Sequence, residues 1–382
     1  MTDQTPPQDP QDGALRTSEA TRDIDLVLIT GAGASTKFGV RHGGPGRFTE
    51  LPMMAEWSNK LVKKIDGGGP VDLNLIRLRQ GLSGEEFEQT LGDFLRRVDA
   101  FREIEPLIGP SARLSDVPAA VRSEGTLAKW HSTTLTGLTE ITKRIHESLF
   151  EEFAHEVTSP DAAAQAYGAL LQNLGIDDRS ILVYATTNYD MLGELALKYL
   201  GRRPDDGQLV ELTGSASDPP LDVDNLLDGL PRYTPILHLH GRVGWYRRPG
   251  GVVYATNTSC HQDGFGTPIV MLPDPNKVYD GDDIINTLWH TFLAALERAK
   301  RVFVLGHSLN DTALVEALQQ RVEPLSRIGV GLLADDNGGF DPSAGPLLEK
   351  VREVLPQAGI IPVRFEEAPV IGEQLSQWLE RQ

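Results

Sequence analysis

Short, unbroken runs of apolar residues recur along the chain at intervals that leave room for helices between them. The first run extends from Leu26 to Ile29, and the others occupy residues 181–185, 236–240, 269–272, 302–305, 329–334 and 360–365. Runs without alternation are typical of strands that helices cover on both faces, as in a parallel sheet. Apolar residues at helical spacing separate several of them, over 191–200, 283–299, 312–322 and 347–354. The pattern predicts an α/β fold with a doubly wound, Rossmann-like parallel sheet.

The region from residue 51 to about 174 has a different pattern, in which helical spacing replaces the short apolar runs. The spacing is clearest over 51–65, 87–98, 138–153 and 162–174. Because strands and helices should alternate in a doubly wound sheet, we interpret this region as a large helical insertion or subdomain. It divides one domain that extends from residue 21 to 382, while the Pro- and Gln-rich residues 1–20 predict a disordered lead-in.

The composition of the chain argues against some classes of binding partner and of cysteine-based site. The chain has 382 residues and a formal net charge of −18, which argues against a broad nucleic-acid-binding surface because phosphates would be repelled. No apolar run approaches the roughly 20 residues that cross a bilayer, and the first residues do not resemble a signal peptide. We therefore expect a cytoplasmic protein without a membrane span. Cys260 is the single cysteine, so an internal disulfide and a four-cysteine zinc site are excluded.

The first apolar run ends in a Gly-x-Gly turn, Gly31-Ala32-Gly33. Such a turn lets a pyrophosphate approach the backbone, and a helix starting near Ser35 would direct its N–H groups at the phosphates. Thr36 stands where the common dinucleotide fingerprint has its third glycine. By itself the turn is equally consistent with a strand-to-helix connection of no chemical consequence. The glycine-rich segment 39–50 that follows is predicted to hold no regular element, and either a lid or a surface connection fits it.

Polar side chains follow three later strands. They are Thr186-Thr187-Asn188-Tyr189-Asp190, His240-Gly241-Arg242 and Gly306-His307-Ser308-Leu309-Asn310-Asp311. A helix cap, a strand-end histidine and a tight turn explain each segment taken singly. The carboxyl ends of parallel strands meet at one edge of the sheet, so all three segments should converge on the Gly31 turn.

Together with the Gly31 turn, these three segments resemble the sirtuin motifs, which occur in the same order. The chain is similar above all to the sirtuin-like domains of bacterial NAD-degrading antiphage defence proteins, over about residues 25–311. The resemblance implies a split NAD site in which Asn188 and His240 are catalytic. It also implies a set of NAD-binding residues: Gly31, Ala32, Gly33 and Ser35 at the pyrophosphate, Gly306, His307 and Ser308 at the adenosine ribose, and Thr187 and Asp190 near the nicotinamide end.

These residue types suit cleavage of the nicotinamide–ribose bond. The ribose gains oxocarbenium character as the bond breaks, so fixed polar groups nearby stabilise the transition state. Nicotinamide leaves without needing a general acid. His240 would take a proton from a ribose hydroxyl or an attacking water, while the Asn188 amide would orient the ribose or that water.

Departures from the sirtuin pattern favour water as the acceptor. The structural zinc ribbon, which helps to form the acyl-lysine channel of sirtuins, is absent because the chain has one cysteine. Thr187 stands where sirtuins usually carry glutamine, and Arg41-His42-Gly43-Gly44 replaces their Pro-Asp-Phe-Arg run. No metal is expected.

The resemblance implies an NAD glycohydrolase that depletes NAD in antiphage defence, as a homo-oligomer regulated by assembly or by a HerA-type ATPase partner. A sensor that binds NAD or ADP-ribose without cleaving it is an alternative, and protein deacylation or ADP-ribosyl transfer is another. Two assignments stay open at this point. His238 would point the same way as His240 along a strand, so their roles could be exchanged. Glu85, Glu86 and Glu88 are expected on a solvated helix face.

Overall fold

The computed structural model describes residues 23–34, 41–42, 48–49, 54–67, 79–108, 125–153, 160–207, 223–247, 253–255, 267–274, 277, 279, 282–322, 327–335 and 339–363. The strands are β1 (Leu26–Thr30), β2 (Arg41–His42), β3 (Phe48–Thr49), β4 (Leu182–Thr186), β5 (Pro204–Asp205), β6 (Thr234–His238), β7 (Gly241–Arg247), β8 (Val253–Ala255), β9 (Thr267–Val270), β10 (Arg301–Leu305), β11 (Arg327–Leu333) and β12 (Gly359–Val363). The helices are α1 (Met54–Gly67), α2 (Gly84–Ile108), α3 (Gly125–Phe153), α4 (Pro160–Asn173), α5 (Leu192–Tyr199), α6 (Asp283–Arg298), α7 (Thr312–Arg321) and α8 (Gly345–Val354).

A seven-stranded parallel sheet forms the centre of the fold, in the order β12-β11-β10-β1-β4-β6-β5. Its central strands are buried along their whole length, which explains their unbroken apolar sequences. Successive side chains enter two different cores. Val27 and Ile29 pack with α6, α7 and α8 on one face, whereas Leu26 and Leu28 pack with α4 and α5 on the other. The predicted doubly wound α/β fold is thus confirmed.

The region 51–174 is mainly helical where the structure describes it: it contains α1 to α4, and residues 79–83 form a turn before α2. Helices α1, α2 and α3 share a third core, built around Trp57, Phe87 and Ile141. The same core includes Tyr189 and Val243, which come from segments that follow strands of the central sheet. Helices α1 to α3 therefore pack beside the carboxyl edge of the sheet, where the polar segments lie.

Two predictions about strands are wrong. The run 269–272 was expected in the parallel sheet, but β9 pairs antiparallel with β7 in a separate three-stranded sheet that also contains β8. The segment 39–50 holds a regular element after all, because Arg41–His42 pairs antiparallel with Phe48–Thr49. Three of its four glycines, Gly43, Gly44 and Gly46, come between these two strands in the sequence, and none lies within a strand, so they do not prevent pairing.

The lead-in 1–20 lies outside the described residues. Among the helices that the structure describes, none is both long enough and apolar enough to cross a membrane.

Candidate functional site

The order of the strands places a crevice between β1 and β10. From β1 the chain proceeds to β4 and β6 on one side, and it later returns to β10 and β11 on the other side. In open α/β sheets, ligands bind at the carboxyl ends of the strands where the order reverses in this way. Gly31 follows β1 and Gly306 follows β10, so both predicted glycine turns lie at this crevice.

The two glycine turns pack directly against each other. The N–H of Gly33 donates to the carbonyl oxygen of Gly306 at 2.9 Å. A Cβ on Gly31 would lie 2.7 Å from Gly306 O, and a Cβ on Gly306 would lie 2.2 Å from the backbone nitrogen of Ala34. Gly306 also has a φ of 61°, in the left-handed region. Glycine is therefore required here for the approach of two backbones, a reason that the sequence alone did not reveal.

Asn188 lies against the first glycine turn. Its side-chain Nδ2 donates to Gly31 O at 3.1 Å, and its backbone N–H donates to Thr186 Oγ1 at 3.0 Å. The next residue back, Thr187, donates its N–H to Thr30 O at 3.0 Å. The segment after β4 is thereby held to the end of β1, and the buried Asn188 amide borders the crevice.

His240 lies in the turn between β6 and β7 and is buried with two polar partners. Its Nε2 is 3.1 Å from Asp311 Oδ2 and 3.0 Å from the hydroxyl of Tyr279. The Tyr279 hydroxyl also donates to Asp311 Oδ2, and the Tyr279 ring stacks on Trp289 of α6. Asp311 in turn caps α7, since its Oδ1 accepts from the N–H of Leu314. The imidazole is thus held by a carboxylate that a helix N-terminus fixes in place.

The charge state of this pair suits a general base. Burial lowers the pKa of His240 to about 4, and the positive charge of Lys277 acts in the same direction, while the hydrogen bond with Asp311 opposes both. Burial acts to raise the pKa of Asp311, but the hydrogen bond with His240 and the charge of Lys277 outweigh it, and that pKa falls well below its usual range. At neutral pH the pair is therefore a neutral imidazole beside an ionised carboxylate.

The depressed pKa of His240 predicts a loss of stability in acid. The ring has a pKa of about 4 in the folded protein and an ordinary value of 6.5, so between these limits the unfolded chain binds a proton that the folded protein does not. The free energy of unfolding should therefore fall as the pH decreases from 6.5 to 5, by about 2 kcal/mol from this group.

Urea unfolding at a series of pH values measures this effect. We expect His240→Gln to flatten the decline between pH 6.5 and 5, whereas His290→Gln, at an exposed position on α6, should leave the slope unchanged. Equal slopes in the wild-type protein and His240→Gln would contradict the buried, neutral state of His240.

Of the remaining predicted residues, His307 is buried and its Nδ1 accepts from the N–H of Leu309 at 2.9 Å. Burial lowers the pKa of His307 to about 3, so this ring is also neutral at physiological pH. Ser308 is exposed on the same turn, and Ala32 is half-buried beside Gly31. Asp190 lies two residues before α5, and its Oδ1 accepts from the N–H of Leu192, the first residue of that helix. Ser35 lies outside the described residues.

Three further groups, which were not identified from the sequence, border the site. They are Asp311, Tyr279 and Lys277, and the Nζ of Lys277 is 3.8 Å from Asp311 Oδ2. Asp311 was visible as the last residue of a polar strand end. Tyr279 and Lys277 lie in a connection without periodicity, so no local pattern marks them.

Glu88 of α2 does not lie on a solvated face as expected. It is half-buried, and burial and the nearby charge of Asp311 raise its pKa, whereas Lys277 acts to lower it. Helix α2 closely approaches the segment that follows β9. A Cβ on Gly92 would lie 2.5 Å from the Asp274 carboxyl carbon, and Arg96 is 2.8 Å from Asp274. One wall of the site therefore comes from the helical insertion.

His238 and His240 contact different groups, so their roles are distinct. Strand β6 ends at His238, and His240 belongs to the following turn, where the alternation of a strand no longer applies. His238 Nε2 lies 2.8 Å from Glu194 Oε1 on α5, away from Asp311. Of the two, only His240 joins the predicted site.

Within the described residues, one group has the composition of a metal site: Glu194, Asp206 and His238, whose ligand atoms lie within 4.8 Å of one another. Arg242 Nη1 lies 3.4 Å from Glu194 Oε1 and 3.3 Å from Asp206 Oδ2. The Arg242 guanidinium thus supplies the two carboxylates with the positive charge that a metal ion would bring.

No protein-family model matches the sequence, and no curated protein matches it. Solved structures of Sir2 proteins are distantly similar to this chain. A Sir2 complex with p53 peptide and NAD⁺ has 13% identity and a TM-score of 0.34, over 86% of this chain and 92% of that one. A Sir2 enzyme from a study of mechanism and regulation has 14% identity and a TM-score of 0.36, over 94% and 92%. A Sir2 homologue bound to NAD has 15% identity and a TM-score of 0.34, over 86% and 88%.

Proposed function

We propose that the protein is an NAD glycohydrolase, which cleaves NAD into nicotinamide and ADP-ribose. The observation that carries the proposal is a neutral, buried imidazole at the same sheet edge as two packed glycine turns. The glycine turns at the β1–β10 crevice suit a pyrophosphate, and the resemblance of the motifs to those of sirtuins supports NAD as its source.

His240 is the proposed general base. A neutral imidazole accepts a proton from a ribose hydroxyl or from water, and the ionised Asp311 stabilises the imidazolium that results. A hydrogen bond with the backbone of Thr187 adds to this stabilisation. Thr187 and Asn188 are neighbours in the segment after β4. The Thr187 backbone carbonyl and the Asn188 side-chain amide therefore both lie near the base, where they suit the orientation of a ribose.

Water is the proposed acceptor, because a chain with one cysteine has no cysteine-based zinc ribbon to help form an acyl-lysine channel. By the same resemblance, we propose depletion of NAD during phage infection, in the cytoplasm, by a homo-oligomer whose activity depends on assembly or on a HerA-type ATPase partner. A non-cleaving NAD sensor is the second candidate, but a buried base with its own carboxylate has no use in binding alone.

Incubation of the purified protein with NAD, alone and with a candidate ATPase, tests the proposal. We expect release of nicotinamide together with ADP-ribose, and in H₂¹⁸O the label should appear at the anomeric carbon of the ribose. A cyclic product would exclude water as the acceptor. ADP-ribose binding without nicotinamide release under any of these conditions would support the sensor instead.

Asn188→Ala should lower the turnover of NAD by about 10- to 100-fold, because the amide that borders the crevice is lost. Asn173→Ala is the matched control and should retain full activity, because Asn173 ends α4 beside Leu174, whose carbonyl accepts from Arg301 at the start of β10, at the opposite edge of the sheet. Unchanged turnover in Asn188→Ala would remove this residue from the proposed site.

A further inference from the structure

We propose that Glu194 of α5 is a positioning residue that holds His240 in its reactive place. The inference rests on the proposed function, since it assigns a role to His240. Its basis is that one carboxylate oxygen contacts residues on both sides of His240. Glu194 Oε1 lies 2.8 Å from His238 Nε2 and 3.4 Å from Arg242 Nη1. These two residues stand two positions before and two positions after His240.

The backbone around His240 is a tight turn that needs such support. Gly241 has a φ of 72°, and a Cβ there would lie 2.2 Å from Ile269 O. The turn is hydrogen-bonded on both sides, from Leu239 N to Thr186 O and from Met271 N to His240 O. These bonds fix the path of the backbone, whereas Glu194 fixes the two flanking side chains to a helix.

The contacts are buried and charged. The side chain of Glu194 is 9% exposed, and those of His238 and Arg242 are each 1% exposed. Burial acts to raise the pKa of Glu194, but the charges of His238 and Arg242 outweigh it, so the net shift is downward and the carboxylate stays ionised. A buried ionised carboxylate beside the Arg242 guanidinium resists displacement, because separating the charges in a dry interior is costly. The ring of Trp245 further confines both partners, at 5.3 Å from the His238 ring and 5.6 Å from the Arg242 guanidinium carbon.

Glu194 also connects the two halves of the proposed site. Its helix α5 begins at Leu192, directly after the segment that carries Asn188 and Asp190. The Asn188 amide is held to Gly31, and the His240 turn is held to Glu194, so the short helix sets the spacing between amide and base. A displacement of a base by about 1 Å can cost 100-fold in rate, so loss of this contact should affect the chemical step.

Glu194→Gln tests the role, because the amide has nearly the same shape as the carboxylate but no charge. We expect kcat for NAD cleavage to fall by about 10- to 100-fold while KM changes by less than about threefold. Glu194→Asp, which keeps the charge, should recover part of the lost kcat. The matched control is Glu297→Gln, which removes a carboxylate from an exposed ion pair with Arg321 and should leave both constants unchanged. A rise in KM at constant kcat, or a fall in melting temperature with unchanged kcat, would overturn the proposal.

A second measurement does not depend on catalysis. The imidazole ¹⁵N resonances of His240, assigned by comparison with His240→Ala, should shift or broaden in Glu194→Gln and stay unchanged in Glu297→Gln. Unchanged His240 resonances in Glu194→Gln would overturn the positioning role. If the wild-type protein releases no nicotinamide, the proposed function fails, and the resonances still decide whether Glu194 positions His240.

Discussion

His240→Ala is expected to reduce the turnover of NAD by about 10²- to 10⁴-fold, which is the range for loss of a positioned general base. Binding of NAD should change little, because the glycine turns that suit the pyrophosphate lie after β1 and β10 and not in the His240 turn. Measurement of nicotinamide release together with calorimetric binding of ADP-ribose separates these two effects.

Asp311→Asn extends the same test to the partner of the base. The amide keeps the shape of the side chain but does not stabilise an imidazolium as a carboxylate does, so kcat should fall by about 10- to 100-fold. Asp311 Oδ1 also caps α7, and an asparagine oxygen can accept the same bond from the Leu314 N–H, so the cap should be retained in this variant. His290→Ala, at an exposed position on α6, is the control. If His240→Ala retains wild-type turnover, another residue is the base and the proposed mechanism is wrong.

The central sheet could be predicted because burial on both faces excludes polar residues from its strands. β1, β4 and β10 each begin and end within a residue or so of the apolar runs that predicted them. β7 escaped prediction because its sequence mixes glycine, arginine and aromatic residues. Arg242 is buried there only because Glu194 and Asp206 neutralise it, and those carboxylates come from distant parts of the chain.

The candidate site was predictable to the extent that strand ends converge. Gly31, Asn188 and Gly306 lie at one edge because they follow neighbouring parallel strands. The partner of His240 was harder to foresee, because Asp311 has the sequence context of an ordinary helix cap. It is such a cap through Oδ1, and it contacts His240 through Oδ2, so the local pattern indicates only half of its role.

The two histidines illustrate the limit of periodicity. A strand that continued through residue 240 would have placed His238 and His240 on one face. The strand ends at His238, and the turn directs the two rings to different helices, to Glu194 on α5 and to the Asp311 cap of α7. Only the tertiary packing of those helices decides which ring reaches the crevice.

The second large effect is expected from Gly306→Ala, which should weaken NAD binding at least 100-fold and lower the free energy of unfolding by about 2–5 kcal/mol. The left-handed φ of 61° accounts for roughly 1–2 kcal/mol with an alanine, and the contact at 2.2 Å with the backbone of Ala34 adds about 1–3 kcal/mol by forcing the two turns apart.

Two glycines separate the contributions. Gly201→Ala tests backbone strain alone, because Gly201 has a φ of 76° and nothing within 4 Å of its added Cβ, whereas Gly345→Ala introduces neither effect. Urea unfolding should show that Gly306→Ala is less stable than Gly201→Ala. In the binding measurement, only Gly306→Ala should lose affinity for ADP-ribose. If Gly306→Ala binds ADP-ribose as the wild-type protein does, the packed glycine turns are structural and the pyrophosphate binds elsewhere.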